Sequence, residues 1–152
     1  MKENPRDEML KRDMREGRLS RDGFLGNDER TISDIIAADE TVLDNACVSA
    51  AKIADAMNEL TQKGLEGLGA ECPVGSYMVI VEEYMGAMGC PFKDGHRLAK
   101  RNTTARNQSG KTMVWTDVNI HLIGAHGFFQ GQGADYRLEP MELVSFLELK
   151  AK

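Results

Sequence analysis

Apolar residues at Leu43, Ala46, Ala50, Ile53, Met57 and Leu60 recur at steps of three and four. An α-helix turns once in about 3.6 residues, so this spacing lays them along one face. Such a stripe has to be covered by another layer of structure. Asp39 suits an N-cap, Glu40 suits the positive end of the helix dipole and Gly64 suits the stop. The expectation is one long amphipathic helix over about 39–63, preceded by a short helix over about 33–38. Packing on the chain's own sheet is the favoured cover for the stripe. A dimer seam is the alternative, because its alanines let a second backbone approach closely.

Past Gly64 the pattern changes. Residues 76–82, Ser-Tyr-Met-Val-Ile-Val-Glu, are rich in β-formers and read as a strand. A loop containing Gly86, Gly89, Pro91 and Gly95 follows. A polar strand over 97–106, a turn at Asn107-Gln108-Ser109-Gly110 and a strand over 111–115 suggest a hairpin. From Thr116 two readings stand: a helix capped by Thr116 or Asp117 and stopped by Gly127, which is favoured, or a strand running on to Leu122. A glycine-rich loop spans 127–133, a short extended piece 136–138 and a final helix 139–150, with Pro140 in its first turn. The fold class is therefore α+β: N-terminal helices packed on a small, mostly antiparallel sheet, with a C-terminal helix. Residues 1–22 are densely charged and read as an arm, leaving 23–152 as one domain.

Charge and composition narrow the functional classes. The net charge of −5 disfavours nucleic acid and anionic membrane as partners. The N-terminus lacks the apolar core of a signal peptide, and no apolar stretch approaches the roughly 20 residues that span a bilayer. A cytoplasmic protein is expected. Cys47, Cys72 and Cys90 are scattered and show no CxxC spacing, so neither a disulfide framework nor a cysteine-based zinc motif is read. Cys47 is expected in the core, and Cys90 as an inert thiol in a loop.

Several features bear on chemistry. Residues 105–112, Ala-Arg-Asn-Gln-Ser-Gly-Lys-Thr, carry the lysine and hydroxyl spacing of a P-loop, but the flanks are a polar segment and a strand. The phosphate cradle needs a buried strand before the loop and a helix after it, so no nucleotide cofactor is assigned. Arg97, Arg101, Arg106 and Lys111 are clustered in sequence and suit a small anionic ligand. The favoured site lies beside the glycine-rich loop. Asp117 and His121, four residues apart, share one face of either a helix or a strand, and a carboxylate beside an imidazole suits a general base or a divalent metal site. Asp117, His121 and His126 are the catalytic candidates, and His96, His121 and His126 the metal-ligand candidates. Asn119, Gly127, Gly131 and Gly133 join the basic residues as ligand-binding candidates. No HExxH or comparable metal signature is present.

Residues 48–65 resemble the recognition-helix end of a winged helix-turn-helix. That resemblance implies a transcription regulator, with Ser49, Lys52 and Asn58 near DNA. The acidic character of the segment opposes it, since groove-reading helices normally carry Arg or Lys. The leading expectation is a small enzyme or small-molecule-binding protein, with the sequence not deciding between the two. A non-catalytic homodimeric interaction protein is the alternative.

Overall fold

In the computed structural model, residues 24–149 are described; the charged segment read as an arm lies outside them. Helix α1 spans Ile32–Ala46 and helix α2 spans Ala50–Gly64. Strands β1 (Cys72–Val74), β2 (Tyr77–Gly89), β3 (Arg97–Arg106) and β4 (Thr112–Thr116) form one antiparallel sheet in the order β1-β2-β3-β4. Helix α3 (Asp117–His126) and helix α4 (Pro140–Phe146) complete the α+β architecture.

The stretch read as one long helix is two. Thr31 accepts from the Asp34 N–H at the start of α1. Cys47 ends that helix in the left-handed region at φ 57°. Ser49 then opens α2 by accepting from the Lys52 N–H. A serine ahead of a helical run is a strong N-cap, and here it outcompetes continuation of α1. The three-residue break leaves the stripe in one core: Leu43, Ile53, Met57 and Leu60 are buried together, with Ala46 and Ala50 packed against them. Cys47 is exposed rather than in the core, because it sits in the break.

That stripe covers one face of the sheet, meeting Val79, Val81, Ala105, Met113 and Trp115. A polar relay runs through this core. Trp115 Nε1 donates to Thr61 Oγ1 at 2.9 Å, and Thr61 and Thr103 share a hydroxyl hydrogen bond at 2.6 Å. The C-terminal helix is shorter than 139–150 and is tied to β2 by Tyr77, whose hydroxyl donates to the Phe146 carbonyl at 2.6 Å. A second core gathers Phe24, Leu25, Ile32, Ile35, Cys90, Phe92, Val118, Leu122 and Phe128.

Strand β2 runs through Gly86, which lies at φ 93° beside the register shift between Tyr84 and Ala87, and on to Gly89. The segment expected as a loop from Gly86 onward is therefore strand as far as Gly89, and the loop proper is 90–96. It forms the tip of the β2–β3 hairpin, beyond the Gly89–Arg97 pair. The rejected P-loop is the β3–β4 turn, as its flanks required. Helix α3 begins where β4 ends, opposite Asn102, and packs along β3 and α2. This path brings its histidines to the hairpin tip.

Candidate metal centre at the hairpin tip

The tip is a tight knuckle. The Lys93 N–H donates to the Cys90 carbonyl at 2.9 Å, and the Cys90 N–H donates to the His96 carbonyl at 3.0 Å. Lys93 and Gly95 both have positive φ, which reverses the chain within a few residues. Cys90, expected as an inert loop thiol, is buried. Its sulfur lies 3.6 Å from His126 Nε2.

Helix α3 supplies the other wall. Thr116 and Asn119 form a reciprocal capping box at its start, and Gly127 closes it at φ 63°, which settles the helix-or-strand alternative. His121 Nε2 and His126 Nε2 approach the same carboxylate oxygen, Asp94 Oδ2, at 2.7 and 2.8 Å. The His126 ring stacks on Phe92 with centroids 4.1 Å apart, and Phe92 meets Phe128 edge-on. The second core thus holds the imidazole in place.

Cys90, Asp94, His121 and His126 each bring one donor atom into a group whose members all lie within 4.8 Å of one another. One sulfur, two imidazole nitrogens and one carboxylate oxygen can hold a metal ion. The His96 N–H, followed by the side chains of His121 and His126, holds the Asp94 carboxyl well below the usual carboxylate range, so this donor is ionised. Burial pushes the Cys90 thiol up, so a metal there has to displace its proton.

The remaining site candidates fall in other places. His96 stands outside the four donors: its Nδ1 lies 3.2 Å from Asp94 Oδ1, and its side chain is 66% exposed. Asp117 does not pair with His121. Its Oδ2 accepts from Arg101 Nε at 2.9 Å and Nη2 at 2.5 Å across the start of α3, while its buried Oδ1 has no hydrogen-bond partner. Asn119 is buried and serves the cap, with its amide donating to the Tyr136 carbonyl. Arg97 is exposed at the start of β3, Lys111 is exposed in the turn beyond its far end, and Arg106 faces Glu71 at 3.7 Å, so these basic residues do not converge. The glycine-rich loop is packed on the protein. A Cβ at Gly131 would collide with the backbone of Leu25, and one at Gly133 with Asn27. Phe128 and Phe129 are core anchors.

Asp94 and Cys90 escaped the sequence reading, although a signal was present. Cys90-x3-Asp94 followed by His121-x4-His126 repeats the order and the within-pair spacings of a Cys2His2 zinc site, C-x2–4-C then H-x3–5-H, with Asp in the second cysteine position and a longer stretch between the pairs. A search for cysteine pairs alone passes over it. No protein-family model matches the chain, and neither a curated protein nor a solved structure matches it. Among the described residues no helix is long and apolar enough to cross a membrane.

Proposed function

We propose that this chain is a zinc-binding protein, with Cys90, Asp94, His121 and His126 holding a single Zn(II) in a closed centre. The carrying observation is the convergence of these donors from two separate elements, the hairpin tip and α3. The donor set suits zinc, which takes cysteine, histidine and carboxylate ligands in tetrahedral sites. Bond lengths of about 2.3 Å to sulfur and about 2.0–2.1 Å to nitrogen imply a sulfur–nitrogen edge of about 3.6 Å in a tetrahedron. The separation between Cys90 Sγ and His126 Nε2 is 3.6 Å. The Asp94–histidine edges of 2.7 and 2.8 Å have to open by about 0.5 Å to reach a tetrahedral edge, a change within reach of a side chain on a short loop.

Four protein donors make a structural centre, since catalytic zinc keeps a position open for water. The metal braces the tip of the long β2–β3 hairpin against α3, alongside the apolar packing of Cys90 and Phe92 in the second core. His96 supports Asp94 from outside, through its N–H and its ring, the kind of outer contact that orients a metal ligand.

The test is elemental analysis of the untagged chain, purified with zinc and desalted. About one zinc per chain is expected, lost in His121→Ala and in Cys90→Ala but kept in Asp117→Asn. Trp115 lies in the other core, so its fluorescence confirms folding in each variant. Zinc retained by His121→Ala, or lost from Asp117→Asn, overturns the assignment.

A further inference from the structure

A pocket of about 450 Å³ opens between the bulged half of the β2–β3 hairpin, the start of α3 and the segment around Tyr136. It lies apart from the metal centre, and none of the four metal donors lines it. Its size is within the roughly 300–1,000 Å³ of small-molecule sites. The lining divides by chemistry. Phe24, Met88, Val118 and Tyr136 contribute apolar wall, and the stretch Lys100, Arg101 and Asn102 of β3 contributes two cationic residues and an amide. Met85 on its rim is 96% exposed, and large apolar side chains left open to water beside a concavity mark binding surfaces.

The donors are in surplus. Arg101 gives Nε and Nη2 to Asp117, which fixes the guanidinium plane, and its Nη1 makes no hydrogen bond within the described residues. The side chains of Lys100 and Asn102 likewise make none. The carboxylate in the wall, Asp135, has a partner of its own. A guanidinium pre-oriented by a partly buried carboxylate loses little freedom when it takes a second acceptor.

We infer that this pocket binds a small carboxylic acid with an apolar body, its carboxylate at Lys100, Arg101 and Asn102 and its body against Phe24, Met88, Val118 and Tyr136. Lys100 and Arg101 give the wall the positive charge that suits the head group, and the apolar residues bury the remainder. A cationic ligand of the same shape meets Lys100 and Arg101 and is rejected. A neutral alcohol leaves most of the donors unpaired.

Matched probes differing only in the head group test this on the full-length chain: decanoate, decan-1-ol and decylammonium, titrated by amide NMR. Decanoate is expected to shift the amides of 99–102 and 116–118, with an affinity at least about tenfold above the other two. Lys100→Glu, at an exposed position, should erase most of that preference. Ala99→Trp, which fills the pocket from its exposed wall, should abolish binding of all three. Equal affinity for acid and alcohol, shifts confined to other surfaces, decanoate binding unchanged by Ala99→Trp, or no decanoate binding up to its solubility limit would each overturn the inference.

Discussion

Thr61 is the hub of the only side-chain relay buried in the main core among the described residues, and its removal has a calculable signature. Its hydroxyl accepts from Trp115 Nε1 and hydrogen-bonds the Thr103 hydroxyl, and all three residues are fully buried. Thr61→Val keeps the shape and opens no cavity, but it strands the indole N–H and the Thr103 hydroxyl without partners. A buried donor or acceptor left unsatisfied costs about 1–3 kcal/mol, so the variant should lose about 2–4 kcal/mol. Adding Thr103→Val removes one of the two stranded groups. The double variant should therefore be more stable than Thr61→Val alone by about 1–2 kcal/mol, although each valine by itself destabilises. Urea unfolding, followed by far-UV circular dichroism and by the single tryptophan at fixed free zinc, reads this directly. With a slope of about 2 kcal/mol per molar, Thr61→Val should lower the midpoint by about 1–2 M, and the double variant should regain about half of that. Additive losses, or a Thr61→Val midpoint within about 0.3 M of wild type, would refute the relay.

Two further outcomes follow from the ion pairs. Arg137 and Asp39 are 7% and 8% exposed at the side chain and bond at 2.7 and 2.9 Å. Arg137→Met leaves a buried carboxylate alone and should cost about 3–5 kcal/mol by urea unfolding, with Arg137→Met/Asp39→Leu recovering much of it; an equal loss in both would contradict the pairing. The Arg30 side chain, hydrogen-bonded to Asp28, holds that buried carboxyl well below the ordinary carboxylate range. A depressed folded value adds stability that is complete above the unfolded value of about 4 and is lost as pH falls further. Between about pH 4 and pH 2, the urea midpoint of wild type should fall more steeply than that of Arg30→Gln, and parallel slopes would show that the pair contributes nothing.

Local signals carried much of the architecture. The capping residues Thr116 and Gly127 define α3, and the Asn107–Gly110 turn defines the β3–β4 hairpin, because each acts within a few residues of itself. The break at Cys47–Ser49 was hidden, since a three-residue turn leaves the apolar spacing almost unchanged on either side. The site was half legible. His121 and His126 belong to it because they sit on a well-marked helix. Asp94 lies 27 residues before His121 and reaches it only because β2 and β3 pair as far as Gly89 and Arg97. Asp117 has the helical spacing to meet His121, but the register of β3 and β4 sets Arg101 beside it, and a guanidinium is the stronger partner for a carboxylate at that position. Spacing along one helix says which side chains are able to meet. The neighbouring strand decided which ones did.

Zinc K-edge X-ray absorption on the zinc-loaded, untagged chain tests the central claim most directly. One sulfur at about 2.3 Å and three nitrogen or oxygen donors at about 2.0–2.1 Å are expected, with the sulfur shell absent in Cys90→Ser. A zinc shell containing no sulfur in the wild-type chain, or containing two, would contradict a centre built from Cys90, Asp94, His121 and His126.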